Sequence, residues 1–187
     1  MPGPEKPSAL SAEKSIRILR IGHRYVRDYR TLTHLCLVSR ALGAEAAYLE
    51  EIDDGLLEGI REVNEAWGGD FQVLRVPSWR SAITEAKKEG RTVIHLTMYG
   101  IPIQDKVEEL RKKSKFLVAV GGPKVPAEAY KLADYNIAVS SQPHSEIAAL
   151  AIVLHELQAG EELKKEFGPA KMKIIPSEKG KKVERLS

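Results

Sequence analysis

The stretch Ala133-Asp134-Tyr135-Asn136-Ile137-Ala138-Val139-Ser140-Ser141-Gln142-Pro143-His144-Ser145-Glu146-Ile147-Ala148-Ala149 decides the fold. It reads as a short apolar strand over 135–139, a polar loop with one proline, and a helix lined with small residues. Pro143 suits the first turn of that helix. Ile147, Leu150, Leu154 and Leu157 then recur at helical spacing. Strand end and helix start meet at 140–145, where unpaired backbone N–H groups stand beside hydroxyl and amide side chains. Such a junction suits a small polar ligand.

Two earlier segments end in the same way. His95-Leu96-Thr97-Met98-Tyr99-Gly100 closes one apolar strand, and Val118-Ala119-Val120-Gly121-Gly122-Pro123-Lys124-Val125-Pro126 closes another. Further upstream, strands are predicted at 16–21, 44–49, 71–76, 92–97 and 116–120. The polar, arginine-rich segment 22–30 reads as a loop. A helix over 32–42 follows, capped by Thr31 or Thr33 and stopped by Gly43. Asp53 and Ser78 are predicted caps of helices reaching Trp67 and Lys88, and further helices are predicted at 103–113 and 126–132. Strict strand–helix alternation with near-continuous apolar strands argues for an α/β fold, a mostly parallel six-stranded sheet with helices on both faces. Segments 171–175 and 182–186 flank Pro176-Ser177-Glu178-Lys179-Gly180 and read as a carboxyl-terminal β-hairpin. The division expected is a loose tail over 1–14, one α/β domain over 15–168, and a basic hairpin extension over 169–187.

The 187 residues are 43% hydrophobic and 29% charged, the balance of a soluble globular protein. No apolar run approaches the roughly 20 residues of a membrane span, so no membrane association is expected. Residues 1–14 carry three prolines and no apolar core, unlike a signal peptide. Cys36 is the single cysteine, which excludes an intrachain disulfide and favours a cytoplasmic location; mid-helix, it reads as core packing. The net charge of +3 is uneven: +5 over 1–40, −5 over 41–160, +3 over 161–187. Basic ends around an acidic middle suit a polyanionic partner.

In open parallel sheets, ligands sit outside the carboxyl ends of strands. Gly100, Gly121 and Gly122 let backbone approach a ligand closely, and Ser140, Ser141, Gln142, Ser145 and Glu146 offer donors and acceptors. No G-x-G-x-x-G follows the first strand, where Ile21 leads into Gly22-His23-Arg24, and there is no P-loop. The five histidines and Cys36 lack zinc-like spacing, so no metal is expected. No H-E-x-x-H or G-x-S-x-G occurs, so a nucleophilic hydrolase is poorly supported. His95, inside a strand, reads as a core residue, and Tyr99 as a rim aromatic. Arg20, His23, Arg24, Arg27, Asp28, Arg30 and His34 form a second constellation. Guanidinium groups grip phosphates bidentately, and the interleaved Tyr25 and Tyr29 could stack on bases.

Taken together, these segments resemble one family, the archaeal tRNA cytidine-56 2′-O-methyltransferases of the SPOUT class. The matching stretches are Ile21 to Arg24, Arg27 to His34, Ser39 to Ala44, Leu96 to Gly100, Gly121 to Pro126 and Ala133 to Leu150, with the turn at 176–182. The resemblance implies a trefoil knot in the carboxyl-terminal half of the sheet and S-adenosylmethionine bound in the knot loops. It implies cofactor contacts from Leu96; from Gly121, Gly122, Pro123, Lys124 and Val125; and from Val139, Ser140, Ser141, Gln142, Pro143, His144, Ser145 and Glu146. It also implies a homodimer, with the last helix near the interface, and the T-loop of tRNA as substrate. Related knotted ribose methyltransferases carry an Asn followed several residues later by an Arg; here that region has Thr31, His34 and Arg40. The catalytic candidates are therefore Arg27 first, then Arg24 and Arg30. Two alternatives stay open: a tRNA-binding module of the same fold without chemistry, and another nucleotide-using doubly wound transferase.

Overall fold

The computed structural model describes residues 14–22, 25–122 and 124–186, with the backbone alone over 25–29. Six strands are β1 (Ser15–Ile21), β2 (Ala46–Leu49), β3 (Gln72–Arg75), β4 (Thr92–Pro102), β5 (Lys115–Gly121) and β6 (Tyr135–Ala138). They form one parallel sheet in the order β3-β2-β1-β5-β4-β6. The expected α/β class and six strands are present. A separate pair, β7 (Met172–Ile174) and β8 (Val183–Arg185), makes the antiparallel hairpin.

Side chains alternate across the strands and so divide the core in two. Ile16, Ile18, Ile94 and Val118 face one side. There they pack with Leu35 of α1 (Tyr25–Ala41), Leu56 and Ile60 of α2 (Asp54–Trp67), Leu110 of α4 (Val107–Arg111), and Leu150, Val153, Leu154 and Leu157 of α6 (Glu146–Gln158). Leu19, Ile21, Val93 and Leu117 face the other side, against Trp79, Ala82 and Ile83 of α3 (Trp79–Lys88) and Ala129 of α5 (Ala127–Leu132). Cys36 is fully buried, and burial pushes its thiol up to about 12, so it is packing rather than a nucleophile.

Asp53 and Ser78 cap their helices as the sequence predicts. Asp53 accepts from Leu56 N–H at 2.8 Å, and Ser78 forms a reciprocal box with Ser81. Four boundaries differ from expectation. The first helix begins at Tyr25, not 32, so 25–30 is helix and not loop; arginine is a good helix former, and these polar turns show no apolar stripe to announce them. The fourth strand continues to Pro102 through an irregularity between Leu96 and Ile101. The predicted helix over 103–113 divides into a 3-10 turn at Ile103–Asp105 and α4, broken at Lys106. The last helix starts at Glu146, capped by Ser145, so Pro143 precedes it instead of occupying its first turn. The tail expected over 1–14 lies, but for Lys14, outside the described residues.

Candidate active site

The carboxyl ends of β4 and β5 and the loop after β6 meet the second and third turns of α1, Tyr130 of α5 and the start of α6 around a cavity of about 810 Å³, a size that holds a small organic ligand. Three features of local sequence open it. After β5, Gly121 has no room for a side chain, since a Cβ there would stand 2.0 Å from Val125 Cγ2. After Leu96, β4 bends, and Gly100 crosses the β6 backbone so closely that a Cβ would lie 2.6 Å from the Asn136 carbonyl group. Before α6, Ser145 Oγ accepts from the N–H groups of Ile147 and Ala148 at 3.2 and 3.4 Å, turning the helix start toward the cavity.

Of the predicted cofactor residues, Leu96, Gly121, Gly122, Val125, Pro143, His144, Ser145 and Glu146 line this cavity. Lys124, Val139, Ser140, Ser141 and Gln142 do not. Val139 packs against the core, and Ser140 Oγ accepts from Gln142 N–H at 3.1 Å. Pro123 lies outside the described residues, as does Arg24. Arg27 belongs to the backbone-only part of α1. Arg30 is exposed on α1 and lines the cavity with Thr31 and His34. Positions 27, 30, 31 and 34 fall on one stripe of a helix.

Arg20, 2% exposed on its side chain, pairs with Glu146 at 2.8 Å, and Glu146 is the single carboxylate among the described lining residues. The pair links the end of β1 to the start of α6. A Cβ on Gly122 would also touch Arg20 at 3.4 Å, so the guanidinium lies under the loop after β5 as well. The carboxylate in the cavity wall is thus compensated by a buried cation, which fixes it in place as a hydrogen-bond acceptor.

Sequence reasoning passed over several lining residues. His95 is buried as expected of a core residue, yet it lines the cavity. Burial holds its imidazole below the usual range against the opposing hydrogen bond to Asn136, so the ring is neutral at pH 7. Tyr130 of α5 packs edge-on to it, with ring centroids 4.6 Å apart, and meets Thr97 Oγ1 at 3.1 Å. Nothing in the pattern of 126–132 marks Tyr130. Tyr99, 78% exposed, stands at the rim. Among the described residues no cluster of His, Cys, Asp and Glu could hold a metal, and no helix is long and apolar enough to cross a membrane.

Comparison with known proteins adds a family to this geometry. Residues 67–184 match the family described as "tRNA ribose 2′-O-methyltransferase, aTrm56". The tRNA (cytidine(56)-2′-O)-methyltransferase of Methanopyrus kandleri is 50% identical over 170 residues, covering 90% of this chain and 96% of the relative. The enzyme of the same name from Nitrosopumilus maritimus is 48% identical over 169 residues, with the same coverage. Among solved structures, the SpoU methyltransferase AviRb from Streptomyces viridochromogenes, in complex with the cofactor AdoMet, superposes with a TM-score of 0.57 at 13% identity. That match covers 86% of this chain and 63% of AviRb, and it speaks for the shared fold.

Proposed function

Because the chain belongs to the tRNA ribose 2′-O-methyltransferases, we propose that its cavity seats S-adenosylmethionine beside the 2′-hydroxyl of a tRNA ribose. The reaction is methylation of tRNA at cytidine 56, the position its relatives' names carry. One observation supports this placement most. Segments far apart in sequence, 30–34, 95–99, 120–125 and 143–149, converge on one cavity.

The residues present fit the cofactor. Gly121 and Gly122 bring the backbone after β5 to the cavity wall, Leu96, Val125 and Ile147 offer apolar surface, and the Glu146 carboxylate, held by Arg20, offers an acceptor. Bound there, S-adenosylmethionine supplies a methyl group already activated on a sulfonium. What remains for the chain is positioning and proton management. Arg30 sits on the cavity wall that the three cofactor loops leave to the RNA. Its guanidinium would grip the phosphate flanking the target ribose and stabilise the oxyanion as the 2′-hydroxyl passes its proton to that phosphate. Arg27, one turn earlier on the same helix, and Arg24 are the alternatives for that role.

The reading extends to architecture. A trefoil knot is supported by the close crossing of Gly100 over 136–137 and by β6 pairing with both halves of the bent β4, Ile137 opposite Leu96 and again opposite Ile101. A homodimer is supported by apolar side chains left exposed at Tyr99, Ile101 and Ile152. The α/β domain over 15–168 and the hairpin extension over 169–187 fit the separate β7–β8 pair. That hairpin docks on the end of α2, where Lys171 N–H donates to Ala66 carbonyl, away from the cavity. It would therefore meet a remote part of the tRNA rather than the target loop.

Incubating unmodified tRNA with the protein and S-adenosylmethionine, then mapping nuclease fragments by mass spectrometry, tests the proposal. A single added methyl on the ribose of cytidine 56 is expected. An unmethylated tRNA, or a methyl on a base, refutes it.

A further inference from the structure

Within the cavity one acceptor is set aside by the hydrogen-bond network around it. Asn136 Nδ2 donates to the Tyr130 carbonyl at 2.9 Å, which fixes the amide so that its Oδ1 faces His95. Oδ1 can only accept. His95 Nδ1, 2.9 Å away, must therefore carry the proton. The neutral ring is left with Nε2 as a bare lone pair, buried and without a hydrogen-bond partner among the described residues. A buried acceptor left unmet is unfavourable, and in a residue that lines a cavity it calls for a donor from the ligand.

The surroundings say which donor. On the His95 face of β4, Val125 and the Tyr130 ring give this part of the cavity apolar surface, whereas Leu96 faces the other layer. The charged groups, Glu146 and Arg30, belong to α6 and α1, while the hydroxyls of Thr97 and Tyr130 on the His95 side bond each other at 3.1 Å. A flat heteroaromatic ring edged by an amino group suits the first region; an ammonium or a sugar suits the second. We propose that His95 Nε2 accepts a hydrogen bond from the 6-amino group of the cofactor's adenine, making the His95–Asn136 pair a base-specificity element. This rests on the cofactor reading above. A 6-oxo purine would turn an oxygen lone pair toward Nε2. The ring cannot answer by shifting its proton, because Asn136 holds Nδ1–H in place.

Nitrogen-15 labelling of the histidine rings in the full chain tests this directly. In the free protein His95, identified by the contact of its ring with Tyr130 and so told apart from His144 and His155, whose Nδ1 atoms also face oxygen acceptors, should show a neutral ring with unprotonated Nε2. S-adenosylhomocysteine should move that resonance upfield as the acceptor fills, whereas S-inosylhomocysteine should not. Binding assays on the same pair should favour the adenine compound by about tenfold or more, and His95→Gln, whose amide both donates and accepts, should bring the ratio close to one. A bound adenine compound that leaves Nε2 unmoved overturns the assignment. So does a shift produced only by tRNA, or a ratio that survives in H95Q. Should H95Q fail to fold, the wild-type spectra still decide. If neither compound binds the wild-type protein, the cofactor reading falls together with the assignment.

Discussion

The two ends of the sheet treat their polar groups in opposite ways. At the amino ends of the strands, cations are consumed within the protein. Arg17 donates to Tyr48 Oη at 2.8 Å and pairs with Glu89 at 2.9 Å. Arg91, buried, reaches Ser15 Oγ at 2.8 Å and Glu89 at 2.9 Å. Lys14 Nζ caps the carbonyls of Arg111 and Lys113, both at 2.8 Å. Arg40 holds Asn64 Oδ1 at 2.8 Å and the Gly68 carbonyl, and lies over the Phe167 ring at 5.2 Å. At the carboxyl ends Arg20 is likewise consumed by Glu146 at 2.8 Å, but Arg30 stands exposed without an ion pair to another described residue, and His95 keeps an unmet acceptor in a residue that lines the cavity, where the unmet oxygen of Glu162 near the amino ends does not. One end is closed for stability. The other keeps hydrogen-bonding capacity in reserve, which is what a site for a charged, donor-rich ligand requires.

The sharpest way to break this contrast is at Arg30. Arg30→Ala should lower kcat on tRNA by about 10²- to 10³-fold, the range for removing one charge-stabilising donor. Its unfolding free energy should stay within about 0.5 kcal/mol of wild type, as at other exposed positions. Urea titration beside a methyl-transfer assay reads both. A variant with full turnover would return the role to Arg27 or Arg24, and a large loss of stability would show that the carboxyl end is built like the amino end.

Gly100 marks where the contrast softens, because the open end still depends on one tight crossing. Gly100→Ala should cost about 1–3 kcal/mol, because its Cβ would meet the Asn136 backbone at 2.6 Å and no side chain can yield there. Binding of S-adenosylhomocysteine should fall with it. By contrast Gly90, where a Cβ would meet nothing within 4 Å, has φ +70 and should suffer only the cost of that backbone conformation. Urea midpoints of the two alanine variants compare the mechanisms.

These differences also show what the sequence could reveal. Layers and strand count were legible because Ile16, Ile18, Leu19 and Ile21, and likewise Phe116 to Val120, repeat the signature of strands buried on both faces. The loops at 121–125 and 143–146 were legible because strand ends in a parallel sheet collect ligands. The start of α1 is not, since Tyr25 to Thr31 has helical propensity but no apolar stripe, and so the sequence alone puts Arg30 on a loop. His95 reads as core because its own strand gives no hint of Asn136, which meets it through the β4–β6 pairing, or of Tyr130, which α5 lays against it. Orphaned acceptors are properties of a network and leave no local mark.

Phe167 offers a smaller test, at the closed end. It fills the corner against Gly68 and Gly69 beneath Arg40 and is only half-buried. Phe167→Ala should therefore cost about 1–2 kcal/mol, below the roughly 3–5 of a fully buried phenylalanine. Because the corner is remote from the cavity, kcat/KM for tRNA methylation at a temperature well below the melting midpoint should not change. A loss of turnover without a loss of stability would mean that the two ends are coupled.

The smallest expected effect belongs to Glu89, which tests whether the closed end relies on its ion pairs at all. The hydrogen bond from Arg91, with a further contribution from Arg17, holds the Glu89 carboxyl below its ordinary range. A carboxylate whose value is lower in the folded chain than in the unfolded one binds fewer protons when folded, so it stabilises above the unfolded value near pH 4.5. That contribution fades as pH falls through the lower folded value. Glu89 is largely solvent-facing, so Glu89→Gln should cost less than about 1 kcal/mol at pH 7. Urea unfolding of wild type and variant at pH 7 and again near pH 3 should show the gap closing in acid. A gap that persists at low pH would assign the effect to side-chain shape, and one that exceeds the Phe167 loss would reverse the ranking of packing over charge at this end of the sheet.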